Sequence, residues 1–398
     1  MTPPLLPVLR LLPKTKPQAI RRGYPWVYSN EVVTDRRTRG LAPGTIAVLE
    51  DAERSPMALV AVNPNSKIIG RVLDGPEATA PDQAWFAERL RKALSLRERL
   101  FDTPFYRLVH AEADGLPGVI IDRFGDIAVV QPNAAWADVL LPELAAALAE
   151  VTGVTTILKN AGGRGRSLEG LDDVDAVLLG EAPTAPIPVQ MNGATYMADL
   201  MGGQKTGLFF DQRPNHAFAA RLAQGARVLD VFSHVGGFGL AALAGGAVSA
   251  HCVDGSEAAL ELATQGATHM GAADRLTTAR GDAFNVLTEL GEANEAFDLV
   301  VCDPPAFAPS HKAREAGLRA YERVARLSAP LVAENGYLVL CSCSHAADLS
   351  AFTGACLRGI GRVGRRAQLI HTGQAGPDHP LLPQLAESGY LKALFFRL

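Results

Sequence analysis

Val228-Leu-Asp-Val-Phe-Ser-His-Val-Gly-Gly-Phe-Gly-Leu240 is the stretch that decides the fold. Its apolar run, Val228 to Phe232, predicts a buried strand. Ser233, Gly236 and Gly237 follow as small turn residues, and Phe238 to Ala244 continues as a helix. Glycine lets a ligand approach the backbone closely, and a helix start leaves amide N–H groups open to it. A second apolar stretch, Ala250-His-Cys-Val253, ends on Asp254. A carboxylate about 20 residues beyond a glycine-rich turn is a usual partner of ribose hydroxyls. The glycines do not follow G-x-G-x-x-G, which disfavours a dinucleotide. Without a ligand the stretch is an ordinary strand–turn–helix connection.

Outward from this turn, strand and helix alternate from about residue 200 onward. Strands are predicted at 228–232, 250–253, 276–280, 298–302, 337–341, 366–370 and 392–397, and helices near 214–223, 237–244, 256–266, 283–290, 312–333 and 346–358. This alternation argues for an α/β fold with a largely parallel sheet covered on both faces. Ligands of such sheets bind at the carboxyl ends of the strands. Three further strand ends carry distinctive residues. Asp254-Gly255-Ser256 offers a carboxylate to ribose, and Gly281-Asp282-Ala283 offers one to an adenine amino group. The third is Asp303-Pro304-Pro305-Ala306-Phe307. Proline fixes φ and keeps the residue before it out of helix, so Asp303 is presented at a stiff strand end with Phe307 near enough to face a flat substrate.

A fifth feature is Gly336-Tyr-Leu-Val-Leu-Cys-Ser-Cys-Ser-His345. Period two puts Cys341 and Cys343 on one side of the strand. Cys343, nearest the end, is the candidate nucleophile, because polar groups and a cationic cofactor there favour its thiolate. Cys252, Cys302, Cys341 and Cys356 read as small core hydrophobes. Five cysteines, an odd number mostly in apolar runs, argue against a disulfide framework. Cys341-x-Cys343 lacks a second pair at zinc spacing, which speaks against a metal site.

Ahead of this region lie two smaller ones. Residues 1–74 hold short β-favouring runs at 45–49, 57–62 and 67–72. Residues 75–82 form a polar linker, and 83–199 alternate helix and strand in a central α+β domain. The net charge of the 398 residues is −4, yet the first forty carry eight basic against two acidic side chains. A basic module on an acidic body suits a polyanionic partner. Tyr24, Trp26 and Tyr28 lie beside Arg21 and Arg22, and interleaved aromatic and basic residues can stack on bases and hold RNA phosphates. A solvated basic face and a small aromatic core are the structural alternatives. With 48% apolar and 20% charged residues the chain is globular. No run has transmembrane length, so a soluble cytoplasmic protein is expected.

The first module resembles the PUA domain, a small RNA-binding barrel. Asp230-x-Phe232-x-x-x-Gly236-Gly237-Phe238 looks like the nucleoside-binding turn of S-adenosylmethionine (SAM)-dependent methyltransferases. Tyr24-Pro-Trp-Val-Tyr28, Tyr106 to Gly118, Gly203-Gln-Lys-Thr-Gly207, Phe210-Asp-Gln-Arg213, Asp303 to Phe307 and Ser342-Cys-Ser-His345 occur in that order. Together they resemble the bacterial RlmI-type methyltransferases of large-subunit (23S) ribosomal RNA, which make 5-methylcytosine. The resemblance spans the chain and implies a PUA barrel, a central α+β domain and, over 200–398, a Rossmann-like seven-stranded class I methyltransferase domain. It implies S-adenosyl-L-methionine as cofactor, held by Phe210, Asp211, Arg213, Asp230, Phe232, Ser233, His234, Gly236, Gly237, Asp254, Gly255, Ser256, Asp282, Ala283, Asp303 and Pro304. Ribosomal RNA would meet Pro305, Phe307, Lys205, Arg21, Arg22 and Trp26. Asp211, Arg213 and Lys205 would serve either the cofactor carboxylate or the RNA backbone. No membrane or metal is implied, and a homodimer is compatible. Two departures stand out: Cys341 replaces a usual small residue, and Ser233-His-Val replaces the more usual Cys-Tyr-Thr.

The resemblance further implies that Cys343 adds to carbon 6 of cytosine and that Asp303 stabilises ring nitrogen 3. Carbon 5 then takes the methyl group, and a base removes its proton before Cys343 leaves. His345 or a water are the candidates for that base. Ala306 fills the position of a second, release cysteine. Two rival readings stay open: methylation of an exocyclic amine of adenine or guanine, with Cys343 structural, and a non-catalytic RNA-binding protein.

Overall fold

A computed structural model describes residues 6–202 and 207–398. Lys205 lies outside the described residues. The chain separates into two compact units, Met1–Ala182 with Pro377–Ser388, and Pro183–Gly376 with Gly389–Leu398.

The first unit holds two five-stranded sheets. One comprises β1 (Val8–Arg10), β2 (Trp26–Tyr28), β3 (Thr45–Glu50), β4 (Pro56–Val62) and β5 (Ile68–Asp74), in the order β1-β3-β4-β5-β2. Alternation along β3 turns Ala47 and Leu49 inward against Leu9, Val27 and Val60. The other comprises β6 (Phe105–His110), β7 (Val119–Phe124), β8 (Ile127–Pro132), β9 (Thr156–Lys159) and β10 (Ala176–Leu179), neighbours in chain order. The helix Gln83–Leu100 starts where Asp82 accepts from the Trp85 amide at 2.8 Å. Two short helices follow in succession, Ala135–Val139 and Leu141–Thr152. Pro142 has no N–H to continue a helix but suits the first turn of a new one. Arg97, wholly buried, gives both terminal nitrogens to Asp114 at 2.7 Å and a further bond to the Asp378 carbonyl at 2.9 Å. The Asp378 carboxylate accepts from the Arg107 amide at 3.1 Å. These bonds place Pro377–Ser388 in this unit.

The second unit begins with a hairpin, β11 (Ile187–Met191) and β12 (Ala194–Ala198). Asn192 and Gly193 turn it with φ of 56° and 76°, both left-handed. Sequence reading put this hairpin in the central domain. The Tyr196 hydroxyl instead donates to the Gly237 carbonyl at 3.1 Å, and the Thr195 carbonyl would lie 2.7 Å from a Cβ on Gly266. The boundary therefore falls near residue 183, not 200. Seven strands follow: β13 (Arg227–Val231), β14 (Ser249–Asp254), β15 (Leu276–Arg280), β16 (Phe297–Cys302), β17 (Val332–Ser342), β18 (Gln368–Gly373) and β19 (Lys392–Arg397). Their order is β15-β14-β13-β16-β17-β19-β18. The first five are parallel, and β19 runs antiparallel between β17 and β18. The order reverses between β13 and β16, which opens a crevice at their carboxyl ends.

The helix expected over 312–333 stops at Ser328, and β17 begins at Val332 rather than 337. The Ser328 hydroxyl bonds back to the Val324 carbonyl at 2.8 Å, and Pro330 follows without an amide donor. Leu229, Val231, Val300, Leu338 and Leu394 are fully buried in the core that holds the sheet against the helices.

Candidate active site

The turn after β13 concentrates unusual backbone. Phe232 and His234 have φ of 62° and 51°, and Gly236 has 79°. Left-handed conformations at non-glycine residues are costly and persist only where neighbours hold them. Asp254, at the end of β14, is that neighbour: its carboxylate accepts from the His234 amide and the Ser256 amide, each at 2.8 Å. Helix Gly237–Ala244 starts directly on the turn. Gly239 lets this helix lie against β14, since a Cβ there would sit 2.5 Å from the Cys252 sulfur.

Asp230 is completely buried beneath the turn. Burial pushes its carboxyl up to about 7, against the lowering effect of the Gly239 and Phe238 amides. One oxygen accepts from the Gly239 amide at 2.8 Å, and the other has no hydrogen-bond partner among the described residues. Ser233 is buried, and the half-buried His234 ring packs edge-on against Phe209 with centroids 5.2 Å apart. Ser256 caps the next helix by accepting from the Ala259 amide, with Gly255 exposed before it and open space where a Cβ would be. Asp282 is likewise a helix cap, accepting from the Asn285 amide at 3.1 Å, and Ala283 is buried behind it. The open helix start, the Asp254 carboxylate and the orphaned Asp230 oxygen fit a nucleoside-bearing, cationic cofactor.

At the end of β16 the Asp303 carboxylate accepts from the Gln212 side-chain amide at 2.9 Å. Gln212 is itself oriented by Asn215, which donates to its oxygen at 2.6 Å. Pro304 is buried and Pro305 exposed. Phe307 lies among aromatic rings, 6.3 Å from Phe232, 6.1 Å from Phe284 and 5.0 Å from Tyr321. Phe210 is buried beside Arg213, whose guanidinium carbon lies 5.6 Å from the ring centre. Asp211 accepts from the Tyr390 hydroxyl at 2.6 Å.

Cys343 follows the last residue of β17 and is the one partly exposed cysteine; Cys252, Cys302, Cys341 and Cys356 are buried. Burial raises the thiols of those four, which keeps them protonated and inert. The residues flanking Cys343 are clamped. The Ser342 hydroxyl donates to the Tyr321 hydroxyl at 2.9 Å, and Tyr321 and Ser344 share a hydrogen bond of 2.8 Å. The Ser344 hydroxyl also accepts from the Ala308 amide at 2.9 Å, which ties the Cys343 turn to the Asp303–Phe307 loop. From β19, the Lys392 ammonium donates to the carbonyls of Ser344 at 2.7 Å and Ala347 at 2.8 Å.

Gln212 lay inside the quoted Phe210–Arg213 motif without an assigned role, and Tyr321 and Lys392 were not singled out by sequence. Lys392 carried one signal, a cation at the head of the apolar strand Lys392-Ala-Leu-Phe-Phe396. Arg21, Arg22 and Trp26 belong to the first unit. Arg21 pairs with Asp51 at 2.9 Å, the Trp26 indole donates to Glu112 at 2.8 Å, and Arg22 is exposed. Among the described residues no cluster of His, Cys, Asp and Glu is arranged for a metal, and no helix is long and apolar enough to cross a membrane.

Sheet order, cofactor turn and strand-end carboxylates define a class I SAM-dependent methyltransferase carrying a PUA-like domain. Residues 10–74 match the PUA-like domain family and residues 142–397 the S-adenosylmethionine-dependent methyltransferase family. Similar solved structures include a provisionally assigned SAM-dependent methyltransferase from Streptococcus mutans, with TM-score 0.82 and 20% identity over 99% of this chain and all of that one. A second, a provisionally assigned methyltransferase complexed with SAH, has the same score and coverage. The ribosomal RNA large subunit methyltransferase I of Alteromonas mediterranea is 33% identical over 388 residues, 96% of this chain and 97% of that protein. That of Klebsiella pneumoniae is 32% identical over 403 residues, all of both chains, and a ribosomal RNA large subunit methyltransferase of Deinococcus radiodurans is 35% identical over 412, covering 98% of each. The chain belongs to the ribosomal RNA large subunit methyltransferase family.

Proposed function

We propose that this SAM-dependent ribosomal RNA methyltransferase forms 5-methylcytosine in the large-subunit (23S) RNA through a covalent bond to Cys343. The observation that carries the reading is the contrast among the cysteines. Four are buried and inert, whereas Cys343 is partly exposed on a clamped turn tied to the Asp303 loop.

Bound cofactor supplies an electrophilic methyl group on sulfonium. Asp254 would hold the ribose, Asp282 would receive the adenine amino group, and the Gly236–Gly237 turn would supply backbone contacts. Carbon 5 of cytosine is a poor nucleophile. The Cys343 thiolate therefore adds to carbon 6, and the electron pair moves through the ring toward nitrogen 3. A proton shared with Asp303 neutralises that charge, and the Gln212 amide keeps the carboxyl oriented. Carbon 5, now enamine-like, is the nucleophile for the methyl group, which the cofactor would give up as its sulfonium becomes a neutral thioether. The carbon 5 proton then passes to a base on the open side, where His345 is exposed two positions from Cys343, and the carbon–sulfur bond breaks to restore the ring. Phe307 faces the base, while Arg22 and its neighbours supply phosphate contacts from the PUA-like domain.

RNA carrying 5-fluorocytosine tests this, because fluorine cannot leave as a proton does. A SAM-dependent covalent adduct that is absent in Cys343→Ala supports the reading. No adduct, with methylation intact in Cys343→Ala, overturns it in favour of an exocyclic-amine methyltransferase.

A further inference from the structure

We propose that Lys392 is a positioning residue whose ammonium charge sets the ionisation of Cys343, so that its thiol reacts as thiolate near neutral pH. This deepens the proposed reading and rests on it.

The geometry comes from the antiparallel pairing of β17 and β19, in which Ser342 stands opposite Lys392. Cys343 is the next residue along. The Lys392 side chain passes under the turn and donates to the carbonyls of Ser344 and Ala347 at 2.7 and 2.8 Å. Two of the three ammonium donors are thereby used, and the charge is anchored beneath the segment that begins at Cys343. The site is partly buried, where charges are screened less than on an open surface. A lysine serving only to tie two carbonyls would be an unusual choice there, because burial itself disfavours its charge. Cys343 and Asp348 act on Lys392 in the opposite sense and favour the ammonium. The coupling is mutual: a cation held by a thiolate holds that thiolate in return.

The neighbouring described groups differ from Lys392 in charge, engagement or exposure. Tyr321, from helix Arg314–Ser328, is engaged with Ser342 and Ser344 and has its own ionisation raised by burial. Asp348 bridges Arg314 at 3.0 Å and is negative, and Asp303 is a carboxyl group held by Gln212. His345 is exposed, its ring 5.6 Å from Tyr390. Arg314 also donates to this segment, from Nε to the Ala346 carbonyl at 3.1 Å, but its guanidinium is paired with Asp348; Lys392 is the cation whose ammonium binds the Ser344 carbonyl next to Cys343.

The test is the pH dependence of Cys343 alkylation by iodoacetamide, read by peptide mass on the full-length protein, with Cys343→Ala as blank. Lys392→Gln keeps amide donors for the two carbonyls and removes the charge. It is expected to raise the apparent pKa of Cys343 by about one unit, or roughly tenfold slower alkylation at neutral pH, with Lys392→Arg restoring the wild-type profile. Tyr321→Phe breaks the neutral clamp and is expected to leave the profile in place. SAM binding by calorimetry confirms that each variant is folded, and Lys392→Met replaces the glutamine variant should that one not bind. A Lys392→Gln profile that coincides with wild type overturns the proposal, as does an equal shift in Tyr321→Phe. A displaced profile in a protein that fails to trap 5-fluorocytosine would sink the nucleophile reading while upholding the Lys392–Cys343 coupling.

Discussion

Asp230→Asn turns a buried ionisation into a stability measurement. The carboxyl is completely buried, and burial lifts it from 3.8 to about 7. The folded state therefore holds a proton that the unfolded chain gives up above about pH 4. Between those two values the folded state binds more protons, so wild-type stability falls as pH rises through the window. The full shift is worth roughly 4 kcal/mol. Asparagine does not titrate. It can still accept from the Gly239 amide, but its NH2 group meets the side on which Asp230 has no partner, at a cost of about 1–3 kcal/mol. The variant should be less stable than wild type near pH 4.5 and should overtake it as pH approaches 8. His216, pushed down to about 3 by burial, works the other way, since stability is lost as pH falls from its ordinary value. It is common to both proteins and cancels in the difference. Thermal unfolding of the pair in the absence of cofactor reads this directly, and a stability difference that is flat from pH 4.5 to 8 would refute the assignment.

Three further perturbations probe other parts of the molecule. Gly239→Ala places a methyl group 2.5 Å from the Cys252 sulfur and should destabilise by about 1–3 kcal/mol; adding Cys252→Ala should recover part of that loss, and strictly additive effects in a double-mutant cycle would argue against the contact. Asp254→Ala strips two backbone amides of their acceptor and should weaken SAM binding at least about tenfold by calorimetry, a charged acceptor being worth about 1.5–3 kcal/mol. Arg97→Ala leaves Asp114 buried without its bidentate partner and should cost roughly 3–5 kcal/mol in the first unit. SAM affinity should survive that change at temperatures where both units are folded; calorimetry on the variant checks it.

The parallel sheet was legible because strands covered on both faces read as continuous apolar runs, as Val228–Phe232 and Leu299–Cys302 do. β15 carries a weaker apolar signal for the converse reason: it lies at the sheet edge, and Leu276–Arg280 is mostly exposed and polar. Asp254, Asp303 and Cys343 were singled out because each closes such a run, and Asp230 because it interrupts one. Their supports were not. Gln212 meets Asp303 across 91 positions, and Lys392 meets Ser344 across 48, with no local pattern linking either pair. The helix running toward β17 was overdrawn because Ala325 to Ala333 keeps helical spacing, and only the Ser328 back-bond and Pro330 end it. The return of Pro377–Ser388 to the first unit was invisible, since the Asp378–Arg107 bond joins residues 271 positions apart.

That return bears on how the protein is made. During synthesis most domains condense as soon as their own residues have emerged. Here the first unit waits for Asp378 to satisfy Arg97 and Arg107, and the second waits for β19 to enter its sheet. A chain interrupted anywhere before Pro377 leaves both units short of a buried piece. Such a fragment leaves Arg97 and Arg107 without the Asp378 bonds and β17 without its antiparallel neighbour.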